Sequence, residues 1–136
     1  MRFTTFCMCF SILSLFAAAA PTNNSISARQ VTGTQTGTYF EVGLGACGIQ
    51  NIDSDYIVAV SKLMFDTVPG ATANPNNNPL CNRVINAHYE GNAVTVTVTD
   101  RCEACAFTDL DFSPAAFSQL ANQAVGRLTG MTWEFV

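Results

Sequence analysis

The sequence predicts a mainly β protein of one small domain, folded as a β-barrel with one or two short helices. The clearest evidence is the run of residues 92–100, in which valines alternate with threonines. The valines are Val94, Val96 and Val98, and the threonines are Thr95, Thr97 and Thr99. Alternation with period two is typical of a strand with one buried face. Several other short apolar runs are separated by Gly, Pro and Asn, and such a series of short strands favours a barrel.

Four further strands are predicted along the chain. They cover residues 37–43, 56–61, 82–89 and 129–136, and the last alternates Met131, Trp133 and Phe135 with polar residues. Glu90-Gly91 separates two of the strands and predicts a hairpin turn. Residues 61–65 suit one helical turn, and the Gly, Pro and Asn of residues 69–79 predict a loop.

One stretch, residues 113–126, predicts a convincing helix. Ser113 is a good N-cap, Pro114 suits the first helical position, and Gly126 is placed to end the helix. One face of this helix is apolar at helical spacing. That face consists of Phe117, Leu120, Ala121 and Ala124.

Residues 1–20 are predicted to be a secretory signal peptide. Arg2 precedes an apolar run over residues 6–16 and then a series of alanines, and the run is too short to span a membrane. Residues 21–36 are polar and predict a flexible tail, which carries a possible glycosylation sequon at Asn23. The domain itself is expected over residues 37–136, and the protein is expected to be secreted and extracellular.

The charge balance narrows the classes of partner. The chain has six Lys and Arg residues and ten acidic ones, so loss of Arg2 with the signal peptide gives a net charge of −5. No basic stripe or Lys/Arg cluster is present, which disfavours nucleic acid and anionic membranes. A neutral ligand fits this balance better, and we expect a monomer that needs no cofactor.

The cysteines predict two disulfides. Cys7 and Cys9 leave with the signal peptide, and the four that remain are Cys47, Cys81, Cys102 and Cys105. An even number in an exported chain favours disulfides, of which three pairings are possible. A zinc site is disfavoured because the chain has one Cys-x-x-Cys and one histidine, His88. A redox-active pair is also disfavoured, since no helix start follows Cys105.

Three aspartates flank this cysteine pair, namely Asp100, Asp109 and Asp111. The structural interpretation is that acidic residues before a helix interact with its positive end, and that Asp100 forms a local ion pair with Arg101. The functional interpretation is that the carboxylates line a groove, bind sugar hydroxyls or supply a general acid. The pattern alone leaves both open and favours the structural one.

Aromatic side chains are the other usual component of a sugar site, because flat rings stack on apolar sugar faces. The candidates are Tyr39, Tyr56, Tyr89 and Trp133. We favour Tyr39 for this role. Trp133 is a weaker candidate, because its place in an alternating strand predicts core packing.

Five blocks of sequence, in order, resemble a known family. They are "GTYFEVGLGACG", "NPLCNRVI", "GNAVTVTVTDRCEAC", "DLDFSPAAFSQLA" and "GRLTGMTWEFV". The chain is similar here to the fungal single-domain relatives of expansins, the loosenin-like proteins. These belong to the wider double-psi β-barrel group with barwin, the expansin N-terminal domain and bacterial rare lipoprotein A. The resemblance covers residues 37–136 and implies a six-stranded double-psi β-barrel.

The resemblance also implies roles for particular residues. Asp111 matches the aspartate that acts as general acid in related endoglucanases, while Asp109 replaces the histidine of the expansin motif. Asp100 with Arg101 matches the Asp-Arg of rare lipoprotein A, where the aspartate is linked to lytic cleavage of glycan strands. Tyr39 matches a sugar-contacting tyrosine of the first strand.

The resemblance further implies a disulfide pairing, since barwin's pattern suggests Cys47–Cys81 and leaves Cys102–Cys105. The carboxylate that activates water in the endoglucanases lies on the first strand, where this chain offers only Glu41. Asp111 precedes an N-cap, so the helix dipole should lower its pKa, whereas desolvation by Leu110 and Phe112 would raise it.

Three functions follow as expectations. The first is a secreted protein that binds cell-wall polysaccharide, cellulose or chitin, in an open groove and loosens it without appreciable hydrolysis. The second is a weak glycanase or lytic transglycosylase with Asp111 as acid and Glu41 or Asp100 as its partner. The third is a secreted interaction or defence protein that uses the barwin-like scaffold without catalysis.

Overall fold

The computed structural model describes residues 31–136 of the chain, with side chains from Gln35 onward. The predicted signal peptide, most of the predicted tail and the Asn23 sequon lie outside the described residues. Within residues 31–136, no helix is long and apolar enough to cross a membrane.

Six strands form a closed barrel. They are β1 (Val31–Tyr39), β2 (Ile57–Ser61), β3 (Val84–Tyr89), β4 (Asn92–Cys102), β5 (Leu110–Phe112) and β6 (Leu128–Phe135). Their order around the barrel is β1-β5-β2-β4-β3-β6. The pairs β1·β5 and β2·β4 are parallel, and the other neighbours are antiparallel. The predicted six-stranded barrel is thereby confirmed.

Two α-helices lie among these strands. They are α1 (Lys62–Thr67) and α2 (Pro114–Leu120), and single 3₁₀ turns occupy Pro75–Asn77 and Gln123–Val125. Ser61 caps α1 by accepting a hydrogen bond from the Met64 N–H, and Ser113 caps α2 in the same way from Ala116 N–H. The predicted helical turn after β2 and the predicted N-cap at Ser113 are both confirmed.

The hairpin between β3 and β4 turns at Glu90 and Gly91, as predicted. Both residues have positive φ, 46° and 86° respectively. Positive φ at both central positions is the requirement of the tight turn whose twist matches that of the flanking strands.

The core lies inside the barrel and under α2. In β4 the valines Val94, Val96 and Val98 are buried, and in β6 the buried positions include Met131, Trp133 and Phe135. The alternation found in the sequence therefore marks the inward face of both strands. Phe117 and Leu120 extend the same core from α2.

The first strand differs from its predicted position. Residues 37–43 were the expected strand, whereas β1 begins at Val31, inside the predicted tail, and ends at Tyr39. Pairing with β5 on one side and β6 on the other holds it in place. Its inward positions include Gln35 and Gly37, so it lacks the apolar alternation by which a strand is predicted.

The second helix is shorter than predicted. It ends at Leu120, where Ala121 turns to extended backbone, and Asn122 then starts a 3₁₀ turn by accepting from Ala124 N–H. Ala124 is consequently exposed and does not join the apolar face. Gly126, with φ of 73°, ends the 3₁₀ turn and not the helix. Asn commonly diverts a helix in this way, because its side chain offers the backbone a competing hydrogen bond.

Candidate functional site

A polar cleft lies where β1 and β5 run side by side. In their parallel register Thr38 is opposite Asp111, and Gly37 is opposite Leu110. Side chains alternate along each strand, so Leu110 and Phe112 enter the core while Asp111 faces outward. The register therefore sets a threonine hydroxyl directly beside a carboxyl group.

The cleft has a volume of about 100 Å³. It is lined by Thr36, Thr38, Cys102, Ala104, Cys105, Asp109, Asp111 and Arg127. Four parts of the chain contribute to this lining: β1, the end of β4 with the turn after it, β5 with the residue before it, and the residue before β6. Two of the three candidate aspartates, Asp109 and Asp111, line it together.

Hydrogen bonds hold both carboxyl groups. The Thr38 hydroxyl donates to Asp111 Oδ1 at 2.6 Å, and the Thr36 backbone N–H donates to Asp109 Oδ1 at 2.9 Å. Arg127 donates from Nη1 to the Thr36 hydroxyl at 3.0 Å. The cleft thus presents hydroxyl, carboxyl and guanidinium groups in fixed positions, which suits a ligand with many hydroxyl groups.

Burial raises the pKa of Asp111 above its ordinary value. The Thr38 hydrogen bond and the positive charge of Arg127 oppose this shift, and the negative charge of Asp100 adds to it. Asp111 lies in β5 and Ser113 caps α2, so the expected effect of the helix dipole does not decide the pKa. Desolvation is the stronger of the two effects considered from the sequence.

Asp111→Asn is expected to stabilise the fold at neutral pH. A carboxyl with a raised folded-state pKa favours folding most when protonated, so its contribution is present at low pH and is lost as pH rises through the folded pKa. The side-chain amide of Asn carries no charge at pH 3 or at pH 7. Thermal melts should show a higher Tm for Asp111→Asn than for wild type at pH 7, by a few degrees, and equal values near pH 3. A lower Tm at pH 7 would contradict the proposed cost of ionising this group.

Asp100 lies next to the cleft, but its carboxylate is held by backbone groups. Its Oδ1 accepts hydrogen bonds from the backbone N–H of Ala46 at 2.8 Å and of Arg101 at 2.7 Å. The Arg101 side chain instead pairs with Asp66 and Glu103, at 2.9 and 3.0 Å. The expected ion pair between Asp100 and Arg101 is therefore wrong, and Asp100 is not among the residues that line the cleft.

Two other predicted site residues also lie away from the cleft. Tyr39 is 37% exposed at the end of β1, and its ring packs against Phe117 with centroids 4.9 Å apart. It is two residues beyond Gly37, on the face of β1 opposite to Thr38. Glu41 lies past the end of β1 and is exposed.

Trp133 does not belong among the candidate sugar-binding residues, because it is buried. It is 1% exposed, and its indole N–H donates to the Thr108 carbonyl at 2.8 Å. Phe135 packs edge-on against it, so neither ring face is open to a ligand. The core position favoured by the alternation of β6 is the observed one.

The four described cysteines form the two disulfides that the resemblance implied, Cys47–Cys81 and Cys102–Cys105. Cys102 and Cys105 line the cleft, and their sulfurs lie within 4.8 Å of each other and of an Asp111 oxygen. In the bridged form neither sulfur is a thiolate, so this cluster offers a metal ion only one carboxylate. His88 is an exposed residue of β3.

Three residues of the cleft were not predicted from the sequence, namely Thr36, Thr38 and Arg127. These residues are 73 to 91 positions away in the chain from the groups that they contact, the two aspartates and, for Arg127, Thr36. A signal was present, because the threonines alternate with Gln35 and Gly37. It becomes informative only once β1 is known to pair with β5.

Comparison with known proteins assigns the fold to a family. Residues 59–130 match the family model described as "Lytic transglycolase", a double-psi β-barrel domain. The chain therefore belongs to the rare lipoprotein A-like double-psi β-barrel family.

Two relatives are similar in sequence. A papain inhibitor from Streptomyces mobaraensis is 35% identical over all of this chain and 93% of its own length. An Asp f 7 allergen homolog from Arthroderma benhamiae is 32% identical over 73% of this chain, but only 37% of the allergen homolog is covered.

Two solved structures are similar in fold. The Streptomyces papain inhibitor superimposes with a TM-score of 0.68 at 37% identity, covering 76% of this chain and 93% of the inhibitor. A mutant expansin from Clavibacter michiganensis, in complex with cellohexaose, has a TM-score of 0.60 at 22% identity and covers 76% of this chain and 49% of the expansin. At that identity the expansin likeness shows the fold alone.

Proposed function

We propose that this chain is a secreted protein that binds cell-wall polysaccharide, such as cellulose or chitin, in the cleft around Asp111 and weakens contacts between polysaccharide chains without cutting them. The observation that carries the proposal is the outward-facing, half-buried carboxyl of Asp111 in a cleft that also presents the hydroxyl groups of Thr36 and Thr38. Burial of this carboxyl costs stability, and a group of that kind is often retained for function.

The chemistry of the cleft suits a neutral glycan. The Asp109 and Asp111 carboxyl oxygens accept hydrogen bonds from sugar hydroxyls, and the Arg127 guanidinium donates to sugar oxygens. Since the cleft has a volume of only about 100 Å³, it has room for a short segment of a polysaccharide chain. The expected affinity is therefore modest.

Three features support binding without hydrolysis. An inverting glycosidase needs a second carboxylate, about 6.5–9.5 Å from the acid, with room for water between them. Glu41 is exposed beyond the end of β1. Asp100 is engaged by two backbone N–H groups, and one oxygen of Asp109 is held by the Thr36 N–H.

The test is adsorption to insoluble cellulose and chitin by wild type, Asp111→Asn and Glu90→Gln. The control removes the same charge in the turn before β4, a strand whose first and last residues, Asn92 and Cys102, are about 30 Å apart along the chain and whose Cys102 end lines the cleft. Because a hydrogen bond to a charged group is lost, the affinity of Asp111→Asn for the polymer should fall by about 10-fold or more. The affinity of Glu90→Gln should equal that of wild type. No adsorption of the wild type to either polymer would reject the proposal.

The same samples test for cleavage. A raised pKa also suits a general acid, the role that a lytic transglycosylase requires. If soluble oligosaccharides accumulate with wild type and are absent with Asp111→Asn, the protein has weak lytic activity and the proposal of loosening without cleavage is wrong. We expect neither protein to release them.

A second candidate function is inhibition of a papain-like cysteine protease. It is favoured by the 35% identity to a papain inhibitor along the whole chain, and it corresponds to the non-catalytic interaction protein expected from the barwin-like scaffold. An assay of papain with increasing amounts of the wild-type protein tests it, and undiminished proteolysis at micromolar concentrations would reject it.

A further inference from the structure

A short hairpin leads out of the barrel between β1 and β2, and we call residues 43–52 the 43–52 hairpin. The Asn51 N–H donates to the Gly43 carbonyl and the Gly45 N–H to the Ile49 carbonyl, which brings Leu44 opposite Gln50. Directly opposed residues of an antiparallel pair project to the same side. Ile52 is two residues beyond Gln50, where alternation of an extended chain would set it on that side, and its N–H donates to the Asp55 carboxylate.

The inner side of the 43–52 hairpin is fixed to the barrel. A Cβ on Gly45 would lie 2.3 Å from the Thr99 carbonyl oxygen, so the backbone approaches β4 more closely than any other residue type permits. Asp100 accepts from the Ala46 N–H, and Thr99 accepts from the Cys47 N–H at 3.1 Å. The Cys47–Cys81 disulfide joins the turn of the hairpin to the loop before β3.

The outer side is apolar and uncharged. Leu44 is 72% exposed and Ile52 is 62% exposed, and Gln50 lies beside them. The sequence of the hairpin, GLGACGIQNI, contains no charged residue, and the adjoining Asp53 and Asp55 are engaged by the backbone N–H groups of Val42 and Ile52. Two aliphatic side chains are thus held in open solvent on a rigid support, where they contribute nothing to the core.

We propose that the outer side of the 43–52 hairpin is the surface that enters the substrate groove of a papain-like cysteine protease. The inference rests on the second candidate function above. A protease groove holds an extended segment through its backbone and receives side chains in pockets. A hairpin already fixed in one conformation avoids the entropy cost of ordering a loop on binding. Absence of charge lets both aliphatic side chains enter such pockets without leaving an unpaired charge buried.

Leu63 is another exposed aliphatic side chain, but its surroundings differ. Leu63 is 55% exposed, but it lies on α1 beside Lys62, which pairs with Glu103. Asp66 is on the same short helix. Leu63 therefore serves as the matched control, because it has the same side chain and similar exposure in a charged surrounding.

The experiment measures the inhibition constant against papain for the full chain and for Leu44→Asp, Ile52→Asp and Leu63→Asp. Truncated or charged anchor residues commonly cost tenfold or more in affinity. We expect the inhibition constant to rise at least tenfold for Leu44→Asp and for Ile52→Asp, and to change less than twofold for Leu63→Asp. Because both sites are exposed, all variants should melt within a few degrees of wild type, and Leu44→Gln serves if Leu44→Asp does not fold.

Each outcome bears on a separate statement. If wild type inhibits papain and both hairpin variants inhibit equally well, the hairpin assignment is overturned while protease inhibition stands. If wild type does not inhibit papain, protease inhibition and the hairpin assignment both fail. Glycan binding by the Asp111 cleft is unaffected by either result.

Discussion

Replacing Cys47 and Cys81 together by serine is expected to lower the free energy of unfolding by about 4 kcal/mol. The bridge joins residues 34 positions apart, and the loss of loop-closure entropy in the unfolded chain gives a value of this size. For a domain of this length, that loss corresponds to a fall in Tm of about 15–30 °C. Thermal and denaturant unfolding of the double variant and of wild type measure it.

The second bridge is the internal control. Cys102 and Cys105 are 3 positions apart, so the same relation gives about 2 kcal/mol when both are replaced by serine. Removal of Cys47–Cys81 should therefore be the more damaging change by about twofold. The reverse order would show that the short bridge stabilises the fold by something other than loop closure, such as holding the turn that lines the cleft.

Asp100→Ala is expected to lower the free energy of unfolding by about 2–3 kcal/mol. The carboxylate accepts two backbone hydrogen bonds, from Ala46 and Arg101, and bonds to charged groups contribute about 1.5–3 kcal/mol each when lost without replacement. Because the Asp100 carboxylate is partly accessible to solvent, the expected loss is smaller than the sum of the two contributions. Denaturant unfolding measures the loss, and hydrogen exchange at the Ala46 amide should be faster in the variant than in wild type.

Asp100→Asn separates a structural from a chemical role. Its side-chain oxygen still accepts both backbone N–H groups, so its stability should fall by less than half as much as that of Asp100→Ala. Both variants should retain adsorption to polysaccharide if they remain folded. Loss of adsorption in Asp100→Asn with unchanged stability would contradict the structural role and favour the lytic role that the resemblance implies.

The fold was predictable where a strand has one apolar face. Val94, Val96 and Val98 defined β4, and Met131, Trp133 and Phe135 defined β6, because in both strands the inward side chains are the apolar ones. The beginning of β1 was not predictable in this way. Gln35 and Gly37 fill its inward positions, and pairing with β5 and β6, which lie far along the chain, holds it in the sheet.

The same reasoning explains what was predictable of the site. Asp109 and Asp111 are close in sequence and belong to a recognisable block, so the resemblance identified them. Thr38 and Arg127 depend on long-range pairing, and the alternation of Thr38 with Gly37 becomes informative only once β1 is known to pair with β5. The pKa of Asp111 depends on the balance between burial and the neighbouring groups, which requires coordinates.

Asp100 and Asp111 illustrate how one pattern can hold two roles. They flank the same disulfide turn, yet one carboxylate fastens a hairpin to the barrel and the other faces the cleft. The expected effects on stability are opposite in sign. Replacement of Asp100 removes hydrogen bonds that the fold uses, whereas replacement of Asp111 by Asn removes a charge that burial disfavours.

The central claim, that the Asp111 cleft binds glycan, is tested most directly by an NMR titration of the ¹⁵N-labelled protein with cellohexaose and with chitohexaose. We expect at least one of the two sugars to shift backbone amides at residues 36–38, 102–105, 109–111 and 127, with these shifts abolished in Asp111→Asn. Shifts confined to the 43–52 hairpin, or no shifts with either sugar at millimolar concentration, would contradict the claim.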